Sequence, residues 1–166
     1  DFFFFFKQLE QVDGIERYRI SSIEPNLLTS EIVEWIASGT KFLPHFHIPL
    51  QSGCDEILRK MRRRYNTTMF RQKIELVRSY MGNPFFGIDV ITGFPGETEE
   101  LFNETYRFLE EIRPAFIHIF PYSRRNGTPA ALMDDQVDEQ VKQQRVHRLE
   151  ELCAKLHKEY YDSFKG

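Results

Sequence analysis

Cysteine is scarce in this sequence, and its scarcity limits the chemistry that the chain can perform alone. The 166 residues include two cysteines, Cys54 and Cys153, which are far apart in the sequence. No C-x-x-C or C-x-x-x-C spacing is present, so the chain cannot build a cysteine-ligated metal site by itself. Two isolated thiols are typical of a reducing compartment, and we expect a cytoplasmic protein without a disulfide.

Long apolar segments are missing as well. No apolar run approaches the roughly 20 residues that a bilayer span requires, so we expect no membrane association. The run Phe2–Phe6 is short and follows no basic segment, which argues against a signal peptide and favours a helix with one apolar side. The formal net charge of -3 predicts neither a polyanion binder nor a membrane-surface protein from charge alone.

What the sequence does contain is a repeated order of strand and helix. The predicted strands are Arg17–Ile23, His45–Leu50, Phe85–Ile91 and Phe116–Phe120. The predicted helices are 30–39, 55–64, 68–81, 98–112 and 137–160. This alternation predicts an α/β fold with a parallel sheet and right-handed crossovers.

Four strand–helix units amount to half of an eight-stranded barrel or two-thirds of a six-stranded one. We therefore expect a partial TIM-type (β/α) barrel, with an open doubly wound sheet as the alternative. A partial barrel leaves a sheet edge unpaired and part of its core uncovered. We expect the chain to self-associate through that open edge.

The ends of the predicted strands share a polar character that the strands themselves lack. In parallel α/β proteins, ligands bind beyond the carboxyl ends of the strands. The four strand ends are small, polar or turn-forming: Ser21–Glu24, Gln51–Gly53, Thr92–Thr98 and Pro121–Ser123. Their coincidence predicts a ligand site at this edge of the sheet.

The most informative of these ends is the loop Gly93–Thr98, with the sequence GFPGET. Its glycines allow the backbone to approach a ligand closely, and its proline stiffens the turn. The Lys-Ser/Thr ending of a phosphate-binding loop is missing. A tight turn that caps the next helix is the alternative interpretation.

The histidines of the second strand, His45 and His47, share one face of it, opposite an apolar face. In a barrel the polar face points into the lumen. An H-x-H pair can bind a metal, but without a nearby carboxylate we favour hydrogen-bonded lumen histidines, and His118 is interpreted in the same way. Surface positions are predicted for the histidines of the last helix, His147 and His157.

The run Arg59–Arg64 carries five cations in six residues. A solvated helix face is one interpretation. In the other, one arginine binds a ligand carboxylate and the remaining cations bind RNA phosphate. The turn-rich loop Tyr122–Pro129 is suited to cover an aromatic base, with a plain connection as the alternative.

Five blocks, taken in order, resemble the methylthiotransferase branch of the radical S-adenosylmethionine (SAM) family. They are RISSIEP (19–25), HFHIPLQSG (45–53), KMRRRY (60–65), GIDVITGFPGET (87–98) and PYSRRNGTPAA (121–131). The sequence around Ser22, Ile23 and Glu24 is most similar to that of enzymes that act on threonylcarbamoyladenosine beside the anticodon of tRNA.

The resemblance implies a partial (β/α)6 barrel, in which three cysteines after the first strand hold a 4Fe-4S cluster that binds SAM. It also implies an N-terminal domain with a second 4Fe-4S cluster and a small C-terminal domain that grips tRNA. Residues 1–166 would then be the C-terminal part of the barrel, from its third to its sixth strand. The full-length enzyme would add a methylthio group to C2 of the modified adenosine, whereas the chain alone would be inactive and hold no metal.

The resemblance further implies positions that bind the cofactor. Gln51 and Ser52 match a strand end suited to ribose or amino-acid contacts. Arg63 matches an arginine that pairs with the methionine carboxylate. Ser22 and Glu24 belong to the same implied set.

Two later blocks complete this set. Ile91 and Gly93 match an apolar-plus-glycine pattern that supports adenine, and Tyr122 matches a strand end whose backbone bonds adenine. Cys54 stands where the family pattern has serine, so no ligand role is assigned to it.

Three other functions are left open. The first is methylthiotransfer to isopentenyladenosine in tRNA or to a ribosomal protein. The second is a non-catalytic binding protein built on a barrel. The third is an ordinary TIM-barrel lyase or hydrolase, which the sequence disfavours because no lysine, Asp pair or Glu pair converges at the strand ends.

Overall fold

Four parallel strands form one sheet in the order β1-β2-β3-β4 in a computed structural model that describes all 166 residues. The strands are β1 (Tyr18–Ile20), β2 (Phe42–Gln51), β3 (Phe85–Thr92) and β4 (Phe116–Pro121). The helices are α1 (Phe2–Glu10), α2 (Ser30–Ala37), α3 (Asp55–Lys60), α4 (Thr67–Met81), α5 (Glu99–Ile112) and α6 (Glu139–Asp162). The predicted parallel α/β fold is confirmed.

Side-chain caps explain where most of these helices begin. The hydroxyl or amide oxygens of Thr29, Asn66 and Thr98 each accept a hydrogen bond from a backbone N–H of the following first turn. Such a cap satisfies one of the N–H groups that have no partner inside the helix. The predicted helix 55–64 is wrong in its second half, because α3 ends at Lys60 and Arg62 adopts a left-handed conformation with φ of 57°.

The two faces of the sheet differ as the alternation in β2 predicts. Phe46, Ile48 and Leu50 are fully buried on the face that the helices cover. His45 and His47 lie half-buried on the other face, which is the lumen side of the partial barrel. The apolar face is therefore the core, and the polar face is accessible to ligands.

β1 and β4 are the two edges of the sheet and do not pair with each other. On β4, about half of the Phe120 surface is exposed. The sheet is thus an open arc of four strands, as expected for part of a barrel.

Helix α6 departs from the sequence prediction in its first half. Its inner face there carries the buried Lys142 and Arg145, and Val141 is only half-buried. His157 is not a surface residue as predicted, since it is half-buried with Nδ1 2.8 Å from the carbonyl oxygen of Ala115. His147 is exposed, as predicted. None of the helices combines the length and the hydrophobicity that a bilayer span requires.

Candidate functional site

A cleft of about 510 Å³ opens at the carboxyl end of the sheet. Three of the predicted cofactor-binding residues line it: Gln51 at the end of β2, Ile91 near the end of β3 and Tyr122 just after β4. Its outer wall includes Arg125 and Thr128 from the loop after β4. The structure thus brings together residues that are more than 70 positions apart in the sequence, at the edge where α/β proteins bind ligands.

The end of β2 is turned toward the cleft by an irregularity in the sheet. The register between β2 and β3 shifts between Pro49 and Gln51, and Gln51 has a φ of 72°. The Tyr65 hydroxyl lies 2.9 Å from the carbonyl oxygen of Leu50 and donates to this strand end. Burial raises the pKa of Tyr65 to about 12, so the group remains a neutral donor.

Tyr122 is held through its backbone and not through its hydroxyl. Its N–H donates to the carbonyl oxygen of Thr92 at 2.8 Å, and its carbonyl oxygen accepts from Lys142 Nζ at 3.2 Å. The ring packs edge-on against Phe94. The hydroxyl is buried and has no hydrogen-bond partner within the chain.

A buried ion pair lies beneath the loop that follows β3. Glu97 Oε1 accepts hydrogen bonds from the Gly93 N–H at 2.8 Å and from Arg145 Nη1 at 3.0 Å. Burial raises the pKa of the Glu97 carboxyl, and the bonds from Gly93 and Arg145 oppose that rise. Sequence reasoning missed this pair because its arginine lies 48 positions further along the chain, on a helix whose inner face is not uniformly apolar.

Gly93 packs against Lys142 of α6 and does not line the cleft. Its φ is 75°, and a Cβ there would lie 2.3 Å from Cγ of Lys142. The glycine is thus required by the close approach of the helix. This geometry matches the tight-turn interpretation of the loop.

Other predicted residues lie outside the cleft. Ser52 is fully buried, and its hydroxyl contacts Thr105 Oγ1 at 3.2 Å and accepts from the Cys54 N–H. Arg63 lines a separate cavity of about 610 Å³ together with Arg59 and Arg64.

Ser22 and Glu24 are exposed just beyond β1, at the opposite edge of the sheet from Tyr122. Three strand spacings separate these edges, which is roughly 14 Å. Ser22 has a φ of 59°, so the chain turns sharply where β1 ends. These two residues therefore lie at the far rim of the same sheet end.

A second polar group lies on the lumen face. His47 Nε2 is 2.6 Å from Oδ1 of Asp89, and His118 lies beside them. The prediction of a hydrogen-bonded lumen histidine is confirmed for His47 but not for His118, and the premise that no carboxylate lies nearby is wrong. The carboxylate comes from the next strand, 42 positions away, and only the register of β2 against β3 reveals it.

The two cysteines do not fit an iron–sulfur cluster. Cys54 and Cys153 are both free and buried, on different elements. Burial raises the pKa of the Cys54 thiol to about 11 and also raises that of Cys153. Neutral, separated thiols are poor ligands for iron.

Comparison with known proteins adds to this geometry. The sequence model of the Radical SAM superfamily matches residues 1–109. The chain belongs to this superfamily. Members of the family use SAM and an iron–sulfur cluster, and the open cleft at the carboxyl end of the sheet is compatible with such a ligand.

Two relatives come from the methylthiotransferase branch. The chain is 46% identical to the threonylcarbamoyladenosine tRNA methylthiotransferase MtaB of Bacillus subtilis, over 94% of this chain and 35% of that protein. It is 44% identical to the tRNA-2-methylthio-N(6)-dimethylallyladenosine synthase of Thermobifida fusca, over 94% of this chain and 32% of that protein. The chain thus spans about a third of the length of the curated relatives it matches.

Among solved structures, the chain resembles the coproporphyrinogen III oxidase HemN of Escherichia coli, described as a radical SAM enzyme. The TM-score is 0.70 at 18% identity, covering 93% of this chain and 36% of that one. At this identity the likeness establishes the fold alone. The partial-barrel prediction agrees with it.

Proposed function

We propose that this chain is part of the catalytic barrel of a tRNA methylthiotransferase that modifies C2 of threonylcarbamoyladenosine beside the anticodon. The observation that carries the proposal is the 46% identity with the Bacillus subtilis enzyme across 94% of the chain. The cleft at the carboxyl end of the sheet supports it, because three of the predicted cofactor-binding residues meet there.

In this proposal the cleft holds SAM. Ile91 offers an apolar surface to the adenine, while Tyr122 and Gln51 offer hydrogen bonds. Ser22 and Glu24 form the opposite rim. Ser52 and Gly93 act from beneath, by fixing the strand ends that shape the cleft.

When bound at a reduced iron–sulfur cluster, SAM supplies the radical that removes a hydrogen atom and the methyl group that is transferred. Both proposed 4Fe-4S clusters belong to the full-length protein, since the two thiols of this chain do not fit a cluster. Residues 1–166 alone are therefore proposed to be inactive.

Arg63 has a different place in this proposal from the one that the resemblance implies. With Arg59 and Arg64 it lines a solvent-open cavity that is separate from the cleft. Three guanidinium groups around one cavity match the phosphates of RNA, which arginine binds through paired hydrogen bonds. We assign this surface to contact with the tRNA backbone.

A second candidate substrate is dimethylallyladenosine in tRNA. It is favoured by the Thermobifida fusca relative, whose identity with this chain is 44%. The two substrates differ in the group on N6 of the adenine. The threonylcarbamoyl group carries a carboxylate and is anionic, whereas the dimethylallyl group is uncharged. The difference of two percentage points in identity does not separate them, so the experiment must.

The test is nucleoside mass spectrometry of tRNA from a bacterial strain that lacks its own tRNA methylthiotransferases and expresses the full-length protein. We expect 2-methylthio-threonylcarbamoyladenosine to appear. An Ile91→Asp variant is expected to abolish it, because a charge would replace the apolar wall of the cleft, and the exposed His147→Ala is the matched control. Residues 1–166 expressed alone are expected to give no modified nucleoside.

The dimethylallyl product would select the second candidate instead. The absence of both products from cells that contain intact, cluster-loaded protein would overturn the proposal.

We also propose that the isolated chain self-associates through the open edge of β4. Unpaired N–H and C=O groups at a sheet edge favour pairing with another copy, and Phe120 adds exposed apolar surface there. Light scattering is expected to show a mass that rises with protein concentration. The rise should weaken in Phe120→Lys and persist in the control His147→Lys, whereas a monodisperse monomer at high concentration would contradict the proposal.

A further inference from the structure

Three potential metal ligands lie side by side on the lumen face of the sheet. They are His47 on β2, Asp89 on β3 and His118 on β4. Asp89 is directly opposite His118 in the register, and His47 is opposite Gly87, two residues before Asp89. Adjacent strands thus bring one donor each to the same region of the lumen face, with His47 two residues away from the level of the other two.

The donor atoms are close enough to share one ion. The Nε2 or Nδ1 atoms of the histidines and a carboxylate oxygen of Asp89 all lie within 4.8 Å of one another. The ring centroids of His47 and His118 are 5.1 Å apart. Donors around a tetrahedral zinc ion are separated by about 3.4 Å, which follows from metal–ligand bonds of roughly 2.1 Å. Small rotations of the side chains span the difference.

A glycine on β3 lies next to His118. A Cβ at Gly87 would lie 3.8 Å from Nε2 of His118 and 3.3 Å from the ring of Phe85. A larger side chain at this position would crowd the His118 ring. Beside the group, the ring of His118 packs edge-on against Phe116, with 4.8 Å between the ring centroids.

A hydrogen-bonded pair of His47 and Asp89 is the simpler interpretation of their 2.6 Å contact. It involves only two of the three side chains, since the His118 side chain makes no hydrogen bond within the chain although its ring stands next to the pair. A divalent ion uses all three side chains. It replaces the proton that the first two share, and that proton is released to solvent.

We propose that His47, Asp89 and His118 form a site for one divalent transition-metal ion of the zinc type. Two imidazoles and one carboxylate are a ligand set that such ions prefer. Three protein ligands leave a coordination position free for water or another small ligand. Asp89 also lines the cleft described above, whereas the two histidines do not, so the ion would lie beside that cleft.

The site is tested with Zn²⁺ and Co²⁺ alone, on the metal-free chain. Calorimetry is expected to give one Zn²⁺ per chain. Co²⁺ is expected to produce visible ligand-field absorption that Zn²⁺ abolishes. Asp89→Asn and His118→Gln should each weaken binding at least about tenfold, and His118 is exposed, so its replacement leaves the core untouched.

The matched control is His147→Asn. His147 lies 3.3 Å from Glu151 and 3.9 Å from Glu150 on the outer surface of α6, which makes it the competing place for adventitious binding. The control is expected to bind metal as the unmodified chain does. No saturable binding, equal binding by folded Asp89→Asn and His118→Gln variants, or loss of binding in His147→Asn would each overturn the assignment.

Discussion

Replacing Arg145 by methionine is expected to lower the free energy of unfolding by about 3–5 kcal/mol at neutral pH. The side chains of Arg145 and Glu97 are 6% and 1% exposed, and their closest atoms are 3.0 Å apart. Without the guanidinium, the Glu97 carboxylate stays buried with only the Gly93 N–H and the Thr92 hydroxyl as partners. The measurement is urea unfolding followed by circular dichroism.

The control for this prediction is Arg148→Met on the same helix. Arg148 pairs with Glu99 at 2.5 Å, but the two side chains are 39% and 56% exposed. An exposed pair contributes about 1 kcal/mol or less. Equal losses of unfolding free energy in Arg145→Met and Arg148→Met would show that the buried pair contributes no more to stability than the exposed one.

The same variant should depend on pH in a defined direction. Burial already raises the pKa of Glu97, and loss of the arginine removes a group that opposes the rise. A carboxyl with a raised pKa in the folded state binds more protons folded than unfolded, so its stability falls as pH rises above the unfolded value near 4.3. The deficit of Arg145→Met should therefore be larger at pH 7 than at pH 5.

Gly93→Ala is expected to destabilise the protein by about 2–5 kcal/mol, from two causes. A methyl group there would meet Lys142 Cγ at 2.3 Å, and such overpacking costs roughly 1–3 kcal/mol. The backbone φ of 75° adds about 1–2 kcal/mol for an L-residue. Since Lys142 also donates to the Tyr122 carbonyl, displacing it should disturb the cleft as well.

Gly14→Ala separates these two causes. Gly14 has a similar φ of 80°, but a Cβ there meets nothing within 4 Å. This variant should lose only the backbone contribution. Urea unfolding of both proteins gives the comparison, and a Gly93→Ala loss no larger than that of Gly14→Ala would refute the packing argument.

Local signals predicted much of this fold. The alternation in the second strand predicts that His45 and His47 lie on the lumen face, and the helix predicted from residue 98 agrees with the start of α5, because both depend on residues adjacent in the sequence. The exit from α3 was missed, since the left-handed conformation of Arg62 is not one that a residue of this type signals.

The candidate site was also predicted only in part, because only some of its features follow from residues close together in the sequence. Gln51, Ile91 and Tyr122 follow three strands of a parallel sheet, so strand ends alone bring them together. Contacts that depend on register or on helix packing were not predictable from one sequence. Asp89 reaches His47 across strands, and Arg145 reaches Glu97 from a helix whose pattern is mostly polar.

The central claim is that the cleft bordered by Gln51, Ile91 and Tyr122 holds SAM. Calorimetry of SAM with the full-length, cluster-loaded protein tests it most directly, with Gln51→Ala and Ile91→Ala as cleft variants and His147→Ala as the control. We predict one SAM per chain, binding at least about tenfold weaker in both cleft variants and unchanged binding in the control. Equal affinity in all four folded, cluster-loaded proteins would contradict the placement of the cofactor.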